Sequence, residues 1–163
     1  VNDNIDMRGT ITMQARRGFT LIEMLVVLAI LCILAATAYP SYTGYIVRTK
    51  RTEGQIALIE AMQQEQRYRL QHNTYAEYSS ADDGADGAQA QGFRWWSGST
   101  AAVSAYELDA RACPGQDIAI CVEIRARPGT DKVDSRFRDP DCGALTLDSI
   151  GVRAAQGTGR CWP

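Results

Sequence analysis

From Phe19 to Tyr39 the chain is apolar apart from Thr20, Glu23 and Thr37. As a helix rising about 1.5 Å per residue, such a run is roughly 30 Å long, the thickness of the hydrocarbon core of a bilayer. Arg8, Arg16 and Arg17 precede it, and the next basic cluster, Arg48, Lys50 and Arg51, is more distant. That asymmetry puts the N-terminus in the cytoplasm and the bulk of the chain on the far side. A cleaved secretory signal ending at Ala36 and Ala38 fits less well, because the apolar run is too long for one. Glu23 is the anomaly: a carboxylate in hydrocarbon is costly unless it is paired.

The stretch "RRGFTLIEMLVVLAILCILAATAYPSY" closely resembles the prepilin N-terminus of the type IV pilin family, with Gly18 before Phe19, then Thr-Leu-Ile-Glu and an unbroken apolar helix up to Pro40. The resemblance implies that a prepilin peptidase cuts between Gly18 and Phe19 on the cytoplasmic side and that the new Phe19 amine is N-methylated. Residues 1–18 would then be a cytoplasmic leader and 19–39 a transmembrane helix that later packs in a filament core. Family leaders are short and basic, so "MQARRG" from Met13 fits and residues 1–12 read as an upstream extension. Cleavage gives Glu23 a positive partner at i, i−4, and the resemblance implies that the more important pairing is with Phe19 of a neighbouring subunit during assembly. Cys32, inside the run, reads as a small apolar residue facing lipid or neighbouring helices.

Pro40 removes an amide hydrogen and collides with the preceding turn, so a kink or local melting is expected there, with Gly44 a second weak point. From Thr49 to Gln71 the composition is strongly helix-forming, with Leu58, Ile59, Met62 and Leu70 along one side awaiting a sheet. "HNTYA" from His72 ends that helix, and the small, polar, acidic stretch 79–92 reads as a loop. An EF-hand starting at Asp82 fails, because Gly84 and Phe93 stand where ligands are needed. In "FRWW", Trp95 and Trp96 point to opposite faces of an extended chain, so both are not easily buried; they read as a lid on the core, with an aromatic contact to a ligand, a neighbouring subunit or a stacked base as the alternative.

Two alternating segments follow. Tyr106, Leu108, Ala110 and Ala112 alternate with Glu107, Asp109 and Arg111, and Ile118, Ile120, Val122 and Ile124 alternate with Cys121, Glu123 and Arg125. Both read as half-buried strands around "PGQD". If their apolar faces coincide, even-numbered residues pair with even-numbered ones, and Cys113 and Cys121 share the outer face near the turn. "GALTLD" and a short segment from Val152, joined by "DSIG", complete an antiparallel sheet laid on the distal helix. The fold class is therefore α+β, and residues 40–163 form the distal helix and globular head.

The ending "CGALTLDSIGVRAAQGTGRCW" resembles that of type IVa minor pilins related to PilE, which implies a bridge from Cys142 to Cys161. Four cysteines outside the apolar run allow three connectivities, so crossed pairings stay open on the residues alone. An even number there suits an oxidising compartment, and no tight Cys-x-x-Cys spacing suggests zinc.

No catalytic constellation, metal site or cofactor motif is apparent, and the lone histidine, His72, sits at a helix end as a solvated cap. The chain therefore reads as a minor pilin, a structural subunit of a type IV pilus. The resemblance implies that other pilins, the prepilin peptidase, the inner-membrane assembly machinery and the membrane are its partners. Its head would lie in the periplasm before assembly and on the extracellular pilus after it. A type II secretion pseudopilin shares the "GFTLIE" start but not the Cys-Gly-x-Leu-Thr-Leu to Cys-Trp ending. A pilus-borne DNA receptor for natural transformation ranks behind both, because a net charge of −2 gives no polyanion signature.

Overall fold

The computed structural model describes residues 19–81 and 92–163. The expected leader, with Gly18, and the loop from Asp82 lie outside the described residues. Two compact units divide between Ser41 and Tyr42.

In the first unit, Thr20 caps the start of helix α1 (Leu21–His72). The Glu23 amide donates to Thr20 Oγ1 at 3.3 Å and the Met24 amide to Thr20 O at 3.2 Å. Thr-x-x-Glu is the sequence of a capping box, and a carboxylate in the first turn complements the helix dipole. Every described side chain from Phe19 to Ala36 is exposed, Cys32 included. Among the described residues no helix is long and apolar enough to cross a membrane. The side chains of 37–41, where the expected span ends, lie outside the described residues. Helical backbone continues through Pro40, so the local melting expected there is not seen.

In the second unit, α1 continues to His72 and ends as expected, with Asn73 left-handed at φ 57° and its amide bonded to Arg69 O. His72 is exposed, stacks on Tyr68 and bonds the Tyr68 carbonyl through Nδ1. The sheet runs in the order β1 (Tyr106–Ala112), β2 (Val122–Pro128), β3 (Leu145–Asp148), β4 (Arg153–Ala155), all antiparallel. Tyr106 pairs with Pro128 and Ala110 with Ile124, which is the even-to-even register that the alternation predicts. Leu58 from α1 and Tyr106, Leu108, Val122, Ile124 and Leu145 from the sheet form the centre of the core.

Three sequence expectations need correction. Of the expected stripe on α1, Leu58 and Met62 are buried, but Ile59 and Leu70 are exposed. The face that meets the sheet is made instead by Arg51, Gly54, Ala57, Leu58, Met62 and Glu65, at spacings of three and four. Ile118 and Ile120 are not in a strand: the Ile120 and Cys121 amides both donate to Asp117 O, closing a turn that delays β2 to Val122. Strand β1 is not half-buried, because Glu107 and Asp109 are covered on the outer face as well. Arg127 reaches across to both, Arg125 to Asp109 and Ser80 to Glu107, and the Tyr78 backbone bridges Ala110.

Gly54 lets the helix approach the sheet. A Cβ there would lie 2.8 Å from Tyr106 Cδ2, whereas one at Gly44 would meet nothing within 4 Å. Gly44→Ala is therefore expected to stabilise the head by about 0.5–1 kcal/mol through helix propensity. Gly54→Ala is expected to destabilise it by about 1–3 kcal/mol through overpacking. Urea melts of the two variants against the parent read the difference directly.

Candidate functional site

A buried ion pair organises one end of the head. Arg51 donates from Nε to Asp139 Oδ2 at 2.8 Å and from Nη2 to Asp139 Oδ1 at 2.6 Å. The Tyr106 hydroxyl donates to Asp139 Oδ2 at 2.7 Å, and the Cys142 amide to Oδ1 at 3.2 Å. Burial pushes the Asp139 carboxyl up, but the bonds from Arg51, Tyr106 and Cys142 outweigh it and hold the group below the usual carboxylate range. The guanidinium is held more firmly protonated by the same contact, against the opposing effect of its own burial.

This pair ties the segment before β3 to the helix, and two backbone bonds tie the C-terminal segment to that. The Gly157 amide donates to Cys142 O and the Gly159 amide to Asp141 O. Gly157 packs so closely on Asp141 that a side chain there would collide with the Asp141 carbonyl. Cys142 bridges Cys161, with Cα atoms 5.5 Å apart, and Gln55 Nε2 donates to Cys161 O at 2.5 Å. Cys113 bridges Cys121 at 5.4 Å, directly across the β1–β2 register. The crossed connectivities are therefore not formed.

A groove opens beside this anchor, lined by Arg48, Thr52 and Gln55 of α1 and by Asp141, Arg160 and Trp162. Arg48 and Arg160 are exposed and form no ion pair among the described residues. The Trp162 indole donates from Nε1 to Ala154 O at 2.9 Å, and the Arg153 guanidinium lies 5.4 Å from its ring centroid. Asp141 is the one acidic side chain on the lining, and it shares Arg51 at 3.3 Å. The groove thus offers free guanidinium groups beside a fixed aromatic, an arrangement that suits an extended anionic ligand with flat groups.

The sequence singled out the four head cysteines, and the structure brings Cys142 and Cys161 to the anchor beside this groove, not to its lining. Phe19 and Glu23 belong to the first unit, where both are exposed. Trp95 is buried and Trp96 half-buried at its edge, 5.1 Å centroid to centroid, as the alternation predicts. Arg51, Arg160 and Trp162 were missed as site residues. The fixed Cys161-Trp162 ending was a usable signal for the last; nothing near Arg51 in sequence marks its partner, 88 positions away.

One further buried acid lies on the same helix face. Glu65 Oε2 accepts the Ala76 amide at 2.9 Å, while Oε1 is buried with no hydrogen-bond partner among the described residues. Burial raises its pKa from 4.5 to about 7, partly offset by the Ala76 bond. The folded value lies above the unfolded one, so the stabilisation by the protonated form is complete below about pH 4.5 and is lost as pH rises through about 7. A shift of this size corresponds to about 3 kcal/mol. Glu65→Gln keeps the acceptor without the charge and is expected to flatten that fall, so that the variant is the more stable protein at pH 8. Denaturant midpoints at pH 5 and pH 8 check it.

A family model described as type IV minor pilin ComP, DNA uptake sequence receptor, matches residues 40–146. One described as the prokaryotic N-terminal methylation motif matches residues 13–39. Among solved structures, the chain is similar to the non-core minor pilin PilV of Neisseria meningitidis in a selenomethionine crystal structure. Identity is 17%, covering 70% of this chain and 90% of that one, at a TM-score of 0.44. No curated protein matches.

Proposed function

Because the chain belongs to the ComP family of type IV minor pilins, we propose that its head is a receptor for double-stranded DNA carried on the pilus. The observation that carries this is the family match over most of the head, whose description names a DNA uptake sequence receptor. The net acidic composition ranked this reading third, but binding depends on local charge, and the groove supplies what the total conceals. Arg48 and Arg160 would contact phosphates, and Trp162, held by Arg153 and Ala154, would pack on sugar or base.

As a pilin the chain is processed from a prepilin, anchored in the membrane and then assembled with other pilins, and the methylation motif over 13–39 covers that apparatus. In our reading the cut falls between Gly18 and Phe19, Phe19 carries the N-methyl group, and Glu23 pairs with the Phe19 amine of a neighbour. The prepilin peptidase acts on the cytoplasmic side, and the head waits in the periplasm until the inner-membrane assembly machinery takes the subunit into the filament. Pro40 gives the helix a place to bend as it leaves lipid.

The head alone, residues 42–163, forms a compact unit with its own core and two disulfides, so it can be titrated with duplex DNA across a salt series. Few phosphates are neutralised, and the expected slope of log Kobs against log salt is about −2 to −3. Arg48→Ala and Arg160→Ala are each expected to reduce the slope by about 1 and weaken binding to all sequences. Absence of binding at 20 mM salt, roughly a Debye length of 20 Å, would remove the receptor reading.

A further inference from the structure

One side chain is out of place in a groove that binds DNA. The other charged side chains on the lining are arginines, Arg48, Arg51 and Arg160, yet Asp141 stands among them with its side chain 64% exposed. A duplex presents phosphate oxygens along its whole length, and a carboxylate beside them is repelled.

The anchor does not need this carboxylate. Arg51 is neutralised by Asp139, whose two oxygens accept from Nε at 2.8 Å and Nη2 at 2.6 Å. Asp141 receives only a longer bond from the same Nη2, 3.3 Å to Oδ2. An ion pair with so exposed a partner contributes little to stability. Among the described residues Oδ1 accepts no hydrogen bond, and Arg160, on the same lining, pairs with neither oxygen.

The residue is nonetheless held in place. The Asp141 carbonyl accepts the Gly159 amide at 3.1 Å, and a Cβ at Gly159 would lie 3.0 Å from the Asp141 Cβ. The next residue, Cys142, is fixed by its bridge to Cys161 and by the bond from its amide to Asp139. The groove therefore presents one positioned group that, when ionised, only accepts hydrogen bonds. Phosphates, sugar oxygens and base carbonyls of duplex DNA are acceptors too. The donors in its grooves are the exocyclic amino groups: cytosine N4 and adenine N6 in the major groove, guanine N2 in the minor.

We propose that Asp141 is the sequence-reading residue of the groove, its free oxygen accepting a hydrogen bond from the exocyclic amino group of one base while Arg48 and Arg160 hold the backbone. The proposal rests on the DNA-receptor reading and goes beyond it by naming the group that discriminates between duplexes.

The test uses the full chain in a non-ionic detergent. It is offered a library of short random duplexes at low salt, and the enriched sequence is compared with those enriched by Asp141→Ala and Asp141→Asn. Both variants leave the Arg51–Asp139 bonds untouched and are expected to melt within a few degrees of the parent. The parent is expected to require an amino-bearing base at one position. Asp141→Ala is expected to accept any base there, and Asp141→Asn to favour adenine, whose N6 and N7 suit a carboxamide. In the parent's best duplex the amino group is then deleted, with 2-pyrimidinone for cytosine, purine for adenine or inosine for guanine, which identifies the base that carries it. The matching analogue is expected to weaken binding by the parent roughly tenfold and by Asp141→Ala less than about twofold.

Indifference of the parent to all three analogues, or the same enriched sequence for parent and Asp141→Ala, overturns the proposal and leaves the receptor reading standing. Equal tightening of every duplex by both variants also overturns it, as the mark of a carboxylate that merely repels phosphate. Failure of the parent to bind any duplex overturns both.

Discussion

The buried pair of Arg51 and Asp139 is the contact on which the lower half of the head depends. A guanidinium taken out of water is tolerated only where its donors are met, and here Asp139 meets two of them in a bidentate fork. The carboxylate is in turn satisfied by Tyr106 and the Cys142 amide, so helix, sheet and disulfide converge on one side chain. Removing one partner of such a pair typically costs about 3–5 kcal/mol, because the other is left buried and uncompensated. Hydrophobic packing alone would not fix the register of a loop running from Gly129 to Ala144; a directional ion pair does.

The functional surfaces follow from that anchoring. The C-terminal segment has little regular structure beyond β4, yet it is held at Cys161 by the disulfide and Gln55, at Gly157 and Gly159 by backbone bonds, and at Trp162 by Ala154. Arg160 and Trp162 therefore stand at fixed positions beside Arg48 on the helix. At the other end of the sheet the turns are held by their own aspartates and by Ser149, and what they present is aliphatic. One head thus separates a cationic, aromatic groove from an aliphatic tip.

Much of this was legible in the sequence, and what was not has a physical reason. The N-terminal methylation motif over 13–39 could be read because its signature is local in sequence. The even-to-even register and the Cys113–Cys121 bridge could be read because strand alternation fixes parity. The helix face could not, since Ile59 and Leu70 fit an apolar stripe as well as Leu58 does, and a charged residue defaults to solvent. Only the three-dimensional partners of Arg51 and the small residues Gly54 and Ala57 turn the helix the other way. Ile118 and Ile120 looked like strand because alternation cannot see that the Asp117 carbonyl closes a turn around them. The cationic groove was hidden by a net charge summed over carboxylates such as Glu107 and Asp109, which are buried under arginines.

The claim that one ion pair holds the C-terminal segment in place is tested most directly by native-state hydrogen exchange on the head with Asp139→Asn against the parent. The amides of Cys142, Gly157 and Gly159 are predicted to lose protection first and most, while those paired between β1 and β2 keep theirs. Uniform loss across the sheet, or unchanged protection at these three amides, would contradict it.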